Sequence, residues 1–271
     1  RSAGEATDLT RTALHSGVRW IVAVGGDGTC NEVVNGFFDP EGNLISADAG
    51  FCFYPSGTGS DLQRSISTAD TVGALVHALR RERRRWLDVG RLRFEDEKGS
   101  EQIRYFLNIA SFGMSSLACR IASRRWLRRL HGRLAFSLGS ILGFLGFGNR
   151  RFQISMNGGP WKEWSMRLGV IANGRSFGGG MQIAPQALME DGHFDVILFD
   201  RFSLLRLLWH FPKVFRGAHL TLSGVCSFQV EQIEVKATGR VWFEVEGEVP
   251  GVLPLSCSLM PRALPVLEVT C

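Results

Sequence analysis

A glycine-rich turn with one acidic residue lies near the start of the chain. It follows four apolar residues, Ile21–Val24, which predict a short strand buried on both faces. Glycine permits positive φ and close backbone approach, so successive N–H groups can converge on an anion at the start of the following helix. The turn therefore predicts a phosphate-binding site, formed by Gly25, Gly26, Asp27, Gly28, Thr29, Cys30 and Asn31.

Asp27 places a negative charge inside this turn. A carboxylate repels a phosphate unless a divalent cation or its ordered waters lie between the two groups. Asp27 therefore indicates a metal-bound nucleotide. A tight strand-to-helix turn capped by an aspartate is the alternative interpretation of the same residues.

A second glycine-rich turn, Pro55–Asp61, follows another short apolar run, Gly50–Tyr54. Ligands of open α/β sheets bind in the crevice outside the carboxyl ends of neighbouring strands. We therefore expect the two turns to face one crevice. Asp61 either contributes an acidic side chain to this crevice or caps the helix that follows.

The pattern of elements changes near Trp86. Before it, helical spacing alternates with short apolar runs, which is the rhythm of a parallel α/β sheet. After it, short strands separated by turns dominate and predict antiparallel pairing. We therefore expect a domain boundary at Trp86, with one domain at residues 1–86 and a β-rich domain at residues 87–257.

The composition is that of an ordinary soluble globular protein. Of the 271 residues, 45% are hydrophobic and 21% are charged, which excludes a disordered or fibrous chain. The formal charge of +5 is carried almost entirely by arginine and permits an anionic partner. Six cysteines without a C-x-x-C pair, and no recognisable signal peptide, predict a reducing cytosol and no metal cluster. No motif indicates nucleic-acid binding.

Three segments carry clusters of basic residues, alone or beside apolar runs. Arg124–Arg133 precedes the apolar run Leu134–Phe147, which is too short for a membrane span of roughly 20 residues. This stretch is either a core helix or a basic helix lying on an anionic bilayer surface. Arg80–Arg85 is either the solvated end of a helix or a contact with membrane or phosphate. Leu204–Phe215 predicts an amphipathic helix that ends in basic residues.

The glycine-rich turns resemble those of a known family. Gly25–Thr29, followed by Asn31 and Glu32, is similar to the nucleotide loop of diacylglycerol kinases, sphingosine and ceramide kinases, bacterial lipid kinases and, more distantly, NAD kinases. Pro55–Asp61 resembles the G-T-x-N-D-F segment of the diacylglycerol kinase catalytic family, with Ser60 where Asn is usual.

Two later segments narrow the resemblance. Gly174–Pro185 resembles the N-G-x-x-F-G-G-G-x-x-x-A-P signature of bacterial lipid kinases, and Glu190–Val196 resembles their D-D-G-x-F-D-V signature. The chain is thereby identified as similar to a bacterial-type, diacylglycerol kinase-like lipid kinase. The resemblance implies a doubly wound, NAD kinase/phosphofructokinase-like α/β domain followed by a mainly antiparallel β-sandwich. Residues 258–271 would return to the first domain.

The same resemblance assigns ligands to individual residues. Backbone amides of residues 25–31 would hold the phosphates of ATP, and Gly57 and Thr58 would approach the nucleotide. Asp61 would join Asp27 in an acidic, metal-linked network. A structural Mg²⁺ would be held by the Asp191 side chain and by the carbonyl oxygens of Leu188 and His193, since a hard ion takes oxygen ligands.

The segment Glu246-Gly247-Glu248 stands where the family has D-G-E. By resemblance, Glu246 is the general base and Glu248 belongs to the acidic network near the metal. Glutamate keeps the carboxylate but extends it by one methylene, so the substrate hydroxyl or the backbone must shift for base catalysis to survive. An ordinary polar hairpin turn is the alternative.

The sequence therefore predicts an ATP- and Mg²⁺-dependent lipid kinase that phosphorylates diacylglycerol or a related lipid. We expect a cytoplasmic protein that associates peripherally with the membrane, with a homodimer as one further expectation. The alternatives are an NAD kinase-like enzyme and a non-catalytic relative that binds nucleotide or lipid. We also expect that the strand and phosphate-binding turn which the family places before the first helix are missing.

Overall fold

The computed structural model describes residues 4–56, 61–66, 68–96, 98–122 and 146–269. The predicted nucleotide contacts Gly57 and Thr58 lie outside these residues, as does nearly all of the basic and apolar stretch 124–147. Five helices are described: α1 Glu5–His15, α2 Asp27–Gly36, α3 Val72–Arg81, α4 Met114–Ala122 and α5 Leu204–Val214. Of these described helices, none combines the length and the apolar character needed to cross a bilayer.

Twelve strands are described, and they join one sheet. In chain order they are β1 Trp20–Gly25, β2 Gly50–Pro55, β3 Arg84–Glu95, β4 Glu101–Phe106, β5 Ile109–Gly113, β6 Arg150–Met156, β7 Lys162–Ala172, β8 Phe194–Asp200, β9 Val225–Val230, β10 Gln232–Ala237, β11 Trp242–Val245 and β12 Glu248–Leu267.

The first part of the chain forms a small parallel α/β unit. β1 and β2 pair in parallel from Trp20↔Gly50 to Gly25↔Pro55, so the two glycine-rich turns leave the sheet at the same edge. Their apolar residues and those of α1 and α2 share one core, which includes Val34, Phe37 and Phe51. Burial of this core therefore places the first residues of α2 beside the segment that follows β2.

The later strands close into a ring of antiparallel pairs. β12 pairs with β10, β10 with β6, β6 with β7, β7 with β5, β5 with β11, and β11 with β12 again. Inward-facing phenylalanines fill this ring, among them Phe112, Phe152 and Phe243. A closed ring leaves few unpaired edges, and it fixes the ends of β5 and β11 relative to each other.

β12 joins the two parts of the chain. Its second half pairs in parallel with β2 at Val266↔Phe51 and antiparallel with the start of β3 at Leu267↔Arg84. Its first half pairs with β10 and β11 in the ring. Trp86, where we predict a domain boundary, lies within β3, so the chain continues through this position as strand. The division of the chain at Trp86 stays a prediction.

Candidate active site

The first glycine-rich turn is shorter than the sequence suggests, because α2 begins at Asp27 with Gly26 as its N-cap. A Cβ at Gly25 would lie 2.8 Å from the Thr29 hydroxyl oxygen, so this close approach favours glycine. The Cys30 N–H already donates to the Gly26 carbonyl at 3.1 Å. The amides available to an anion are therefore those that precede Cys30, as at any helix N-terminus.

Asp27 connects the two glycine-rich turns. Its Oδ2 accepts a hydrogen bond from the Asp61 N–H at 3.0 Å, and its Oδ1 accepts one from the Leu62 N–H at 3.4 Å. Burial raises the pKa of the Asp27 carboxyl, while these two bonds and the charge of Arg64 oppose the rise. The side chain thus bridges to the second turn and does not cap its own helix.

Asp61 extends the connection to the segment around Gly179. Its Oδ2 accepts from the Gly179 N–H at 2.7 Å, and its Oδ1 forms an ion pair with Arg64 at 2.7 Å. Burial raises the pKa of the Asp61 carboxyl, and so does the negative charge of Asp27. The side chain makes no capping bond to the short 3₁₀ turn that it precedes. The glycine-rich segment after β7 is therefore tied directly to the crevice.

Glu246 and Gly247 form the two-residue turn between β11 and β12. Both residues are left-handed, with φ of 51° and 81°, as a tight hairpin of this kind requires. Glu246 Oε1 accepts hydrogen bonds from the Asn108 N–H at 2.7 Å and the Leu107 N–H at 3.1 Å. The carboxylate is therefore held by the connection between β4 and β5, opposite the start of α2.

The electrostatics of Glu246 show which groups it faces. Burial raises the pKa of its carboxyl to about 8, and the charges of Asp27 and Glu244 act in the same direction. The pKa of the buried Cys30 thiol is likewise raised, first by burial and then by Glu246 and Asp27. Carboxylates from the two ends of the chain therefore converge on the first turn of α2.

Glu248 lies on the other side of the same helix start. It forms an ion pair with Arg104, whose guanidinium also donates to Asn31 Oδ1 at 3.0 and 3.2 Å. A Cβ built on Gly28 would lie 4.0 Å from Glu248 Oε1. Asn31 is thus a contact within the protein, in addition to its predicted place in the phosphate loop.

Two asparagines of α2 hold the helix against β4. Asn31 Nδ2 donates to the Tyr105 carbonyl at 2.8 Å, and Asn35 Oδ1 accepts from the Tyr105 N–H at 2.9 Å. Both the donor and the acceptor of one strand residue are thus used by side chains of a helix. This contact fixes α2 against β4, and the residues that follow β4, Leu107 and Asn108, hold the Glu246 carboxylate.

Glu244 was missed by the sequence reasoning. It is only 2% exposed, its Oε1 accepts from the Ser111 hydroxyl at 2.5 Å, and its Oε2 accepts from the Gly247 N–H at 3.0 Å. Burial raises the pKa of its carboxyl to about 7. The sequence feature that could have identified Glu244 is its position as a lone acidic residue between Phe243 and Val245 in an otherwise apolar strand. Its bond to Gly247 orients the turn that carries Glu246.

The predicted structural metal site lies elsewhere, near Asp88. The side chain of Asp191 accepts from the His193 N–H at 3.1 Å, and the His193 ring contacts the Asp191 carbonyl at 2.9 Å. Leu188 is 51% exposed. In the described part of the chain, no three His, Cys, Asp or Glu side chains are grouped to hold a metal ion.

An apolar cavity lies between α4 and α5. Its wall includes Phe177 and Met181 from the glycine-rich segment after β7, and Leu207 and Phe211 from α5. Ser115 is the one polar residue among its lining residues, and its hydroxyl lies 2.7 Å from that of Ser111. Through Ser111 the cavity therefore connects to Glu244 and the glutamate-bearing turn.

Comparison with known proteins identifies the family to which the chain is similar. A family model described as "Diacylglycerol kinase catalytic domain" matches residues 1–92, and one described as "YegS C-terminal NAD kinase beta sandwich-like domain" matches residues 108–268. The diacylglycerol kinase of Mycobacterium tuberculosis (strain ATCC 25618 / H37Rv) is 27% identical over 267 residues, covering 98% of this chain and 82% of the relative. That of Bacillus subtilis (strain 168) is 26% identical over 261 residues, covering 93% and 78%.

A solved structure agrees with this assignment at the level of the fold. The crystal structure of a diacylglycerol kinase from Bacillus anthracis str. Sterne matches with a TM-score of 0.69 at 16% identity, covering 100% of this chain and 84% of that chain. An α/β unit with a glycine-rich strand-to-helix turn, joined to a closed β-sheet, is the diacylglycerol kinase and NAD kinase-like architecture. Within that class, the chain belongs to the diacylglycerol kinase-like, YegS-type family of lipid kinases. The predicted fold class and family are confirmed.

Proposed function

We propose that the protein transfers the γ-phosphoryl group of ATP to the primary hydroxyl of diacylglycerol or a closely related lipid. The observation that carries the proposal is the convergence of Asp27, Glu246 and Glu248 on the start of α2. Phosphoryl transfer depends on positioning and on neutralising charge more than on covalent chemistry of the protein. An anion-binding helix start beside a carboxylate base is the arrangement that this reaction needs.

Glu246 is the proposed general base. As the lipid hydroxyl oxygen forms its bond to the γ-phosphorus, the bond from that phosphorus to the bridging oxygen breaks and ADP leaves. Glu246 takes the hydroxyl proton. The Asn108 and Leu107 amides hold one oxygen of its carboxylate, which leaves the other for the substrate. The longer side chain is thereby given a fixed position despite its extra methylene.

The residues present fit ATP and Mg²⁺. The charge of Asp27 raises the pKa of the Asp61 and Glu246 carboxyls, and this repulsion is the setting that a divalent cation relieves. Mg²⁺ would neutralise phosphate charge here. We propose that Asp27 and Glu248 hold it through oxygen atoms, and that the free amides of residues 26–29 hold phosphate. Gly57 and Thr58 stay proposed nucleotide contacts on the resemblance alone.

A second Mg²⁺ is proposed at the Glu190–Val196 segment. Its donors would be the Asp191 carboxylate and the carbonyl oxygens of Leu188 and His193. Burial and the charge of Asp191 raise the pKa of the Asp195 carboxyl to about 6, so this acidic pair also favours a cation. We propose that this ion stabilises the segment and takes no part in the reaction.

We further propose that the two domains bind different ligands. Residues 1–86, with 258–271, would bind nucleotide, and residues 87–257 would bind the lipid and the structural metal. The apolar cavity supports this division, because its lining residues all come from the second range. An acyl chain in that cavity would bring the lipid hydroxyl toward the glutamate-bearing turn.

The test is transfer of labelled phosphate from ATP to a panel of lipids in mixed micelles, with Mg²⁺. The panel contains diacylglycerol, a sphingoid base, ceramide and phosphatidylglycerol, and free NAD is the competitor. We expect one lipid to be phosphorylated, and we expect Glu246→Gln to lower kcat by about 10²- to 10⁴-fold. Glu246→Asp is the matched control, which keeps the base. ATP binding without transfer by any version would favour a non-catalytic relative.

A further inference from the structure

Helix α5 exposes a row of apolar side chains to solvent. Leu205 is 81% exposed and Trp209 is 82% exposed, which is unusual for side chains of this size. Leu208, Pro212 and Phe215 are exposed as well. The spacing of these residues, at i, i+3, i+4, i+7 and i+10, places them along one side of the helix. We call these five residues the α5 row.

The opposite side of α5 is apolar too. Leu207, Phe211 and Val214 face inward and line the cavity described above. A surface helix of a globular protein normally has polar residues on the side that is turned away from the core. An apolar row of this extent on the outside marks a contact with another apolar phase or molecule.

The charge around the α5 row is positive. Lys213 and Arg216 are exposed next to it, and residues 201–230 contain neither Asp nor Glu. The pKa of His210 is lowered by burial and also by the positive charges of Lys213 and Arg206. An apolar row beside exposed cations is complementary to an anionic bilayer, whose headgroups attract cations while its acyl region accepts apolar side chains.

We propose that the α5 row docks on an anionic phospholipid bilayer, with Trp209 at the headgroup level and Lys213 and Arg216 against the phosphates. Tryptophan favours this interface because its ring is apolar and its N–H can remain solvated. The same helix then has the bilayer on one side and the cavity on the other, so a lipid can pass from membrane to cavity around α5. Its role in delivering substrate rests on the proposed kinase function, whereas the docking itself does not.

Vesicle sedimentation without ATP tests the docking. The full chain is mixed with vesicles of phosphatidylcholine alone or of equal parts phosphatidylcholine and phosphatidylglycerol. We expect binding to the anionic vesicles, and a loss of at least about ten-fold in partitioning for Leu205→Ser/Trp209→Ser. Lys213→Gln/Arg216→Gln should lose about ten-fold at low salt and less at high salt. Leu9→Ser is the matched control, because Leu9 is 63% exposed on α1.

Three results would overturn the proposal. One is unchanged vesicle binding by Leu205→Ser/Trp209→Ser, and another is equal binding of the wild type to both kinds of vesicle. The third is a wild-type dimer, seen by light scattering, that the double variant abolishes without any change in vesicle binding. In that case a second copy of the chain covers the row.

A parallel assay separates the docking from the kinase proposal. With a short-chain diacylglycerol dissolved as monomers, Leu205→Ser/Trp209→Ser should keep the wild-type rate, because neither side chain lines the cavity. Loss of that rate would mean that the row acts on the fold or the catalytic site, which contradicts docking. Vesicle binding that behaves as expected, without transfer by any version, would reject the kinase and leave the docking surface intact.

Discussion

The acidic cleft and the buried Asp88 differ in what their carboxyl oxygens face. In the cleft, Asp27, Asp61 and Glu246 accept backbone hydrogen bonds from distant segments, and the charge of Asp27 raises the pKa of the Asp61 and Glu246 carboxyls. At the junction of β3 and β12, Asp88 is fully buried, and its two oxygens accept from the Gly192 N–H at 2.8 Å and the Arg262 N–H at 2.7 Å. Burial of an acid therefore does not by itself indicate catalysis. The convergence of several carboxyl groups at the start of α2 is the feature that supports the proposed active site.

The largest expected effect is a loss of kcat on substitution of Asp27 in the cleft. Asp27→Asn keeps an oxygen that can accept from the Asp61 amide but removes the negative charge. We expect kcat to fall by about 10³-fold while the melting temperature changes little. Phosphate transfer and thermal unfolding, measured on the same preparation, check this. Near-normal turnover would refute the assignment of Asp27 to the site.

Substitution of Asp88, at the junction of β3 and β12, should lower stability and leave kcat nearly unchanged. Asp88→Ala leaves two buried amides without their acceptor, so we expect the free energy of unfolding to fall by about 2–3 kcal/mol. The kcat of the folded fraction should stay within about two-fold, because Asp88 lies outside the cleft. Urea unfolding and turnover at low temperature measure the two quantities. A large loss of kcat at unchanged stability would show that Asp88 acts in catalysis, as is proposed for the acids of the cleft.

The pH dependence of stability sharpens the same contrast. The folded-state pKa values of Glu244 and Glu246, about 7 and about 8, lie above the unfolded value of 4.5. Their contribution is fully present below pH 4.5 and is lost as the pH rises through 7 to 8. Unfolding in the absence of Mg²⁺ should therefore be easier at high pH. Glu244→Gln should reduce this dependence by on the order of 1–2 kcal/mol, whereas Glu163→Gln should not.

The smallest expected effect concerns the proposed structural metal. Mg²⁺ at about ten times its dissociation constant should stabilise the folded chain by about 1.4 kcal/mol. We expect Asp191→Asn to abolish that increment and Asp96→Asn, in the β3–β4 loop, to keep it. Thermal unfolding with and without Mg²⁺ is the measurement. An increment that survives Asp191→Asn would place the cation elsewhere.

The first part of the fold was predictable because β1 and β2 are short apolar runs that each end in a glycine-rich turn. The runs Ile21–Val24 and Gly50–Tyr54, for example, form the strands β1 and β2. The sequence predicted that α2 begins too late in the chain. The glycine-rich motif indicates a turn through Asn31, whereas Thr29 to Asn31 already belong to the helix. Local propensity alone does not show where a phosphate loop becomes a helix.

The sequence predicted which residue types form the candidate site, but it did not predict the hydrogen bonds that hold them. The bonds from the Asn108 and Leu107 amides to Glu246 span 138 and 139 residues of sequence. Only closure of the strand ring brings those positions together. Glu244 was missed for the same reason, because its partner Ser111 lies in β5, 133 residues away, and meets it only through the pairing of β5 with β11.

The position of β12 in the chain has a consequence for biosynthesis. It pairs with β2, β3, β10 and β11, all of which precede it. A ribosome therefore delivers β12 after every one of its partners, and Glu248, at its first residue, arrives only then. A nascent chain that still lacks this strand has neither a closed ring nor a complete set of acids around α2. Synthesis in this order keeps the acidic cleft from assembling before the rest of the sheet is available to support it.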